Sequence, residues 1–412
     1  MTEDLTGASR PLRLFLIAGE QSGDALGARL MPALTARLRE GVTFAGVGGE
    51  AMEAEGLASI FPLHDVAVMG PLNILAALPR LVRRVHQTAD AALTFKPDVV
   101  VIIDSPEFTH PIAKRIRKRA PDIPIINYVS PSVWAWRPGR AKRMRGYIDE
   151  VLALLPFEPA AHTRLGGPHC TYVGHPLIER QDEIASADTA GLAKRLGIAQ
   201  GRDVLVVLPG SRRSEAGRLL GVFEETVRLL AKKGGAFDVI LPTVPHLREQ
   251  VEAASRTWGL PCHVVDGARD GFCAMRLARA ALAASGTVTL ELALCGTPMV
   301  VAYKVDSVAA PFLRRMIKGE TVVLANLVLG ENAFPEFLQE DCTAEKMAPV
   351  LRDLLSKSAR RDAQVAALAR VPDKLKLADG SPSETAAKAV VGVIKSRSVN
   401  YSAGKSRRGG PM

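Results

Sequence analysis

Asp104 closes the run Val99-Val100-Val101-Ile102-Ile103, so its carboxylate emerges from the end of a strand that is apolar on both faces. A carboxylate at that place suits a general base that takes a proton from an acceptor hydroxyl. It also suits the cap of a helix opening after Pro106. Three further loops have the composition of anion sites. Gly19-Glu20-Gln21-Ser22-Gly23-Asp24 follows an apolar run and opens a helix, with glycines that let backbone N–H groups face a ligand. It lacks the GxGxxG spacing of a dinucleotide site. Pro209-Gly210-Ser211-Arg212-Arg213-Ser214-Glu215 puts a hydroxyl and a guanidinium where a helix dipole favours phosphate. Ser285-Gly286-Thr287 opens another helix, with Glu291 one turn further on. Each loop alone is also compatible with an N-cap and a tight turn. Two of them at neighbouring strand ends point to a nucleotide diphosphate.

Two of the three tryptophans, Trp134 and Trp136, lie in Ser130-Pro131-Ser132-Val133-Trp134-Ala135-Trp136, which runs into Arg137-Pro138-Gly139-Arg140. Rings in a loop after a strand either plug the core beneath it or form a wall against substrate. The prolines and arginines beside the pair favour the wall, since loops at strand ends carry the sites of α/β proteins.

These residues must be positioned by regular elements, and the chain alternates accordingly. Residues 12–18, 43–47 and 99–103 read as strands, 24–39 as a helix, and 72–93 as an amphipathic helix interrupted by Pro79. Strands at 124–129, 151–155 and 171–173 follow. A linker starts at Gly174-His175-Pro176. A second series has strands at 204–208, 237–241, 263–265, 281–284 and 299–303, and helices at 215–232, 247–255 and 288–294. Two doubly wound Rossmann-like halves follow, with a cleft between them and ligands at the carboxyl ends of the strands.

Composition bounds the rest. A chain of 412 residues, 47% hydrophobic, has enough core for about two domains. The five cysteines are scattered without CxxC spacing, so neither a disulfide framework nor a zinc site is indicated, and no cofactor is expected. The apolar run at 12–18 is too short for a secretory h-region or a membrane span, which fits a cytoplasmic protein. The net charge of +10 gathers at 80–84, 114–119, 137–145 and in an acid-free tail at 395–408. Such patches suit an anionic partner, or are solvated helix faces and a disordered end.

The ordered set Ala18-Gly19-Glu20, Ser22-Gly23-Asp24, Gly46-Val47-Gly48-Gly49, Val68-Met69-Gly70, Asp104 in IIDSPEF, SPSVWAW, LLPFE at 154–158, VGHP at 173–176, LPGSR at 208–212 and ASGT at 284–287 resembles the lipid-A-disaccharide synthase family. The likeness runs from about residue 12 to 345. PGSR and SGT are shared with other sugar-nucleotide enzymes, whereas SPSVWAW is specific to this one. The resemblance implies a GT-B glycosyltransferase with domains at 1–174 (acceptor and membrane side) and 175–345 (UDP-sugar side). Helices at 346–396 would pack back on the N-terminal half, ahead of a basic disordered tail at 397–412. It implies inverting transfer of 2,3-diacylglucosamine from UDP to 2,3-diacylglucosamine 1-phosphate, giving a β-1,6 disaccharide and UDP. Asp104 and Arg212 would be catalytic. Ser211, Ser285, Gly286, Thr287, Glu291 and Asn326 would hold the UDP-sugar, and Glu20, Ser22, Gly23, Trp134 and Trp136 are acceptor candidates. Glu107, Thr109-His110 and Ala325 depart from the family's more frequent residues. Acylated substrates need a greasy surface. Val68, Met69, Leu72, Ile74, Leu75 and Leu78, followed by Arg80, Arg83 and Arg84, form an amphipathic stretch suited to the inner-membrane surface or to core packing. No nucleic acid is expected, and a homodimer is admitted. The alternatives are another GT-B enzyme, of the murein glycosyltransferase or UDP-sugar epimerase type, and a basic membrane-binding protein without activity.

Overall fold

The computed structural model describes residues 10–38, 41–67, 71–232, 236–305 and 321–406, with backbone alone at 71–75 and 397–406. The chain divides into two units: the first takes in residues up to Pro176 and again from Leu377, and the second is Leu177–Lys376.

In the first unit β1 (Leu12–Ala18), β2 (Val42–Val47), β3 (Val99–Ile103), β4 (Ile125–Tyr128), β5 (Glu150–Ala153) and β6 (His169–Tyr172) form a parallel sheet in the order β2-β1-β3-β4-β5-β6. All five residues of β3 are fully buried, which is why the strand reads as an unbroken β-branched run and not as an alternation. One face of the sheet packs against Leu26, Leu30 and Leu34 of the helix Gln21–Arg37 and against Ala387, Val390 and Ile394 of the helix Pro382–Ser406. The other packs against Val85, Ala89 and Ala92 of Pro71–Phe95 and Ile112 and Ile116 of Pro106–Arg119.

In the second unit β7 (Asp203–Leu208), β8 (Phe237–Thr243), β9 (Cys262–Asp266), β10 (Ala280–Ala284), β11 (Met299–Tyr303) and β12 (Glu336–Leu338) run parallel in the order β12-β11-β10-β7-β8-β9. Leu219, Phe223 and Val227 of the helix Arg213–Lys232 join Met347, Leu351 and Leu354 of Ala344–Leu355 in its core.

Each order reverses direction once. In the first sheet the chain goes from β1 out to β2 and returns to lay β3 on the other side of β1. In the second it goes from β7 to β9 and returns to lay β10 beside β7. At such a reversal the two following loops part in opposite directions and leave a crevice at the carboxyl ends of the strands. Residues 19–22 and 104–105 flank one crevice, and residues 209–212 and 285–287 flank the other.

Three expectations need correction. The helices Ala344–Leu355, Ala359–Leu368 and Val371–Leu375 belong to the second unit, and Pro382–Ser406 is the one that packs with the first-unit sheet. That last helix continues through most of the stretch expected to be a disordered tail, while 407–412 lie outside the described residues. Pro79 does not interrupt its helix, which runs unbroken over Pro71–Phe95.

Candidate functional site

The second-unit crevice is a cavity of about 400 Å³. Six residues singled out by spacing line it together: Ser211, Arg212, Ser285, Gly286, Thr287 and Glu291. Gly210 turns the chain out of β7 with φ +104°, a left-handed backbone that glycine adopts without penalty, and a Cβ there would collide with the Glu215 carboxyl. Glu215 folds back over that turn and accepts backbone hydrogen bonds from Ser211 and Arg212, while burial raises its pKa and Arg212 opposes the rise. Burial likewise raises the pKa of Glu291, against the pull of Arg180. The Ser285 hydroxyl donates to the Val322 carbonyl at 2.8 Å, and His246 meets the Ser211 carbonyl at 3.1 Å, so both loops are anchored from neighbouring segments.

In the first-unit crevice Asp104 Oδ2 accepts from the Ser22 hydroxyl at 2.9 Å and Oδ1 from the Ser105 N–H at 2.8 Å. Its N–H donates to the Tyr128 carbonyl at 2.9 Å, and its carbonyl accepts from Thr109 Oγ1 at 2.9 Å. Asp104 and Ser105 both have positive φ, +54° and +46°. Two consecutive non-glycine residues in that region are costly and are held by these bonds. Gly19 permits the approach: a Cβ there would strike the Ser105 side chain. Glu20 takes the N-cap position of Gln21–Arg37, and buried Gly23 sits against the Ile103 carbonyl. Asp24 does other work, accepting N–H bonds from Gly49, Ala51 and Met52 and so fixing the helix Glu50–Ala54.

A family model described as lipid-A-disaccharide synthetase matches residues 14–390. The chain belongs to that family. A lipid-A-disaccharide synthase of Rhodopseudomonas palustris (strain HaA2) is 51% identical over 390 residues, covering 95% of this chain and 98% of its own. Membership makes the chain a glycosyltransferase of lipid A biosynthesis. Among solved structures, a UDP-GlcNAc 2-epimerase from Neisseria meningitidis bound to UDP-GlcNAc has TM-score 0.63 at 13% identity, covering 93% of this chain and 99% of that one. Acinetobacter baumannii MurG has TM-score 0.54 at 14% identity, covering 94% and 100%. These likenesses are of fold, and the fold is GT-B. The epimerase and murein-type alternatives therefore share the architecture, and the synthase family matches in sequence over residues 14–390.

The segment SPSVWAW divides its two rings between tasks. Trp134 donates its indole N–H to Glu158 at 3.3 Å and meets Phe157 edge-on at 5.2 Å, so the LLPFE segment holds it. Burial pushes the Glu158 carboxyl up to about 7, against hydrogen bonds from the Leu155 and Leu154 backbone, Trp134 and Ser130 that favour its charge. Trp136 instead lies under the guanidinium of Arg137 at 4.3 Å and near that of Arg140 at 5.9 Å.

Asn326 is held inside the fold by its own hydrogen bonds. It is 1% exposed, and its amide donates to Phe334 O at 2.9 Å and Thr321 Oγ1 at 3.3 Å while accepting from the Phe334 N–H at 2.9 Å. It ties the turn after the helix Leu324–Leu329 and does not line the cavity. Glu215, quoted with the loop after β7 but given no role, lines it too, and spacing missed Thr243 and Gly267, which also do. A glycine directly after Asp266, itself the N-cap of Gly267–Leu277, was the signal for the last of these.

Of the amphipathic stretch, Val68 and Met69 lie outside the described residues, and Leu72, Ile74 and Leu75 are placed in the helix Pro71–Phe95 by backbone alone. Leu78 is 49% exposed, and so is Val82, one turn on, at 46%. Arg80 and Arg83 beside them are exposed. Arg84 is engaged inward, with Asp65 and over the Phe61 ring at 4.5 Å. Among the described residues no helix is long and apolar enough to cross a membrane.

Proposed function

We propose that the chain transfers 2,3-diacylglucosamine from UDP to the 6-hydroxyl of 2,3-diacylglucosamine 1-phosphate, forming a β-1,6 disaccharide and releasing UDP. The observation that carries this reading is the convergence of Ser211, Arg212, Ser285, Gly286, Thr287 and Glu291 on one cavity at the reversal point of the second sheet, in a chain of this family. Arg212 brings a permanent cation to the diphosphate, and the 20-residue helix behind it adds the positive end of its dipole. Asp104 takes the proton from the acceptor hydroxyl. That oxygen attacks the anomeric carbon, the carbon's bond to the UDP oxygen breaks with inversion, and the electron pair leaves on the diphosphate. The Ser22 and Ser105 bonds fix the carboxylate's direction and leave lone pairs on both oxygens for the incoming proton.

The exposed Leu78 and Val82, flanked by Arg80 and Arg83, support a peripheral seat on an anionic inner-membrane surface, where acylated substrates reside. UDP release assayed with acylated and with unacylated acceptor tests the reaction. Release that requires the acyl chains and yields a disaccharide by mass spectrometry is expected; equal release with both acceptors would reject this substrate assignment.

A further inference from the structure

The basic cluster at 137–145 is not absorbed by the donor cavity or by Asp104. With Lys114 it surrounds a separate cavity of about 200 Å³ in the first unit. Lys114, Arg137, Arg140 and Arg143 line it against one carboxylate, Glu107. Glu107 meets Arg140 at 2.5 Å and Arg137 at 3.7 Å. Among the described residues no carboxylate pairs with Lys114 or Arg143, and Lys114 instead rests over the Tyr147 ring at 5.1 Å. We propose that this pocket binds a phosphomonoester, the 1-phosphate carried by the acceptor sugar. The proposal rests on the reaction given above.

The floor of the pocket is rigid and neutral. His110 Nε2 lies 3.2 Å from Asn127 Oδ1, and the amide nitrogen of Asn127 donates to the Val129 carbonyl, so Nε2 carries the proton. Nδ1 then accepts from the Tyr147 hydroxyl at 3.0 Å. Burial first, and then the charges of Arg140 and Lys114, hold His110 down to about 4. A buried ring that stays uncharged beside these cations leaves their positive field for a ligand. Trp136 stacks with two of the guanidiniums and restricts their planes before any ligand arrives.

Location and size agree with a monoester. Glu107 lies in the first turn of Pro106–Arg119, directly after Asp104, and the arginines follow β4, the strand paired with β3. The pocket and the proposed base thus lie at the carboxyl ends of adjacent strands. A sugar offering a hydroxyl to Asp104 carries its phosphate across one ring. The cavity is half the volume of the second-unit cavity, as a phosphate is small beside a nucleotide.

Two sources of phosphate, the acceptor and anionic bilayer lipid, are separated by one set of measurements on the full chain saturated with UDP. Glucosamine 1-phosphate is titrated calorimetrically into wild type, Arg140→Gln and the exposed pair Lys114→Gln/Arg143→Gln. In parallel, kcat/KM is compared for the acylated acceptor with and without its phosphate, and binding to phosphatidylglycerol vesicles is recorded. Removing a charge-assisted contact costs about tenfold in affinity. The expected result is therefore glucosamine 1-phosphate binding weakened about tenfold or more, with the phosphorylated-to-dephosphorylated ratio of kcat/KM falling in step, KM for the donor unmoved and vesicle binding unchanged. An unchanged ratio in the correctly folded lysine and arginine pair variant would overturn the proposal, and so would vesicle binding that falls while the ratio holds. If wild type released UDP with neither acceptor, the reaction reading would fail, and the calorimetric titration would still decide the pocket.

Discussion

A carboxylate is useful as a base only if it is aimed, and the aim of Asp104 is set by backbone strain as much as by hydrogen bonds. Asp104 and Ser105 at positive φ each cost on the order of 1 kcal/mol or more, and Thr109, Tyr128 and Ser22 hold them there. Asparagine tolerates the same backbone region and is isosteric. Asp104→Asn is therefore expected to lower turnover by about a hundredfold or more with melting temperature and UDP affinity nearly intact. A folded variant turning over near the wild-type rate would remove the base assignment. Arg212→Ala is expected to weaken UDP binding and rate together, because its charge meets the diphosphate in ground and transition states alike; unchanged UDP affinity by calorimetry would make Arg212 structural. Residues of this kind were legible because an ionisable or hydroxylic side chain directly after an apolar run emerges at a strand end. Asn326, Asp24 and Glu158 were not legible in the same way. Their work depends on partners such as Phe334, Gly49 and Trp134, which only the fold brings near.

Among the elements, the helix Pro71–Phe95 has two faces with different duties. Val85, Ala89 and Ala92 enter the first-unit core, while Leu78 and Val82 stand one turn apart on an exposed face beside Arg80 and Arg83. Exchanging exposed aliphatics removes little packing, so Leu78→Ser/Val82→Ser is expected to shift stability by well under the ~2 to 5 kcal/mol typical of a core truncation. Flotation with phosphatidylglycerol liposomes is expected to fall, and the residual binding to disappear as salt is raised. A large drop in melting temperature with flotation unchanged would assign this face to packing. Sequence period found this helix and matched β1, β3 and β11 to the residue, since long buried runs carry a strong signal. It missed β12, whose three half-buried residues carry none. It also continued the chain past Pro79 less readily than the fold does, because flanking packing at Val85 and beyond outweighs one lost hydrogen bond.

On the scale of the whole molecule, buried ionisable groups give stability a worked pH dependence. Burial lowers His110 and His175 from 6.5 to about 4, so the unfolded chain takes up protons first and stability falls as pH drops from 6.5 to 4. Glu158 acts in the opposite sense: its carboxyl, raised from 4.5 to about 7, ionises first in the unfolded chain, and stability is lost as pH climbs between those values. Glu158→Gln removes that loss. The stability of the variant relative to wild type is expected to grow by about 3 kcal/mol from pH 4.5 to 7 in urea titrations. A difference that stays flat across the window would show Glu158 to be ionised in the fold. The two-unit α/β plan was legible from alternation, and a return of the chain to the first unit was implied by the family resemblance, but its start at Leu377 instead of 346 was not legible, since an amphipathic helix does not announce which apolar face it will cover. That return has a consequence for synthesis. The first-unit sheet needs Ala387, Val390 and Ile394 to close one face, yet residues 177–376 are translated in between. At roughly 5 to 20 residues per second the ribosome takes on the order of 10 to 40 seconds to make them. Over that interval the nascent chain carries an uncovered apolar flank that a chaperone could shield, and the unit begun first is the one completed last.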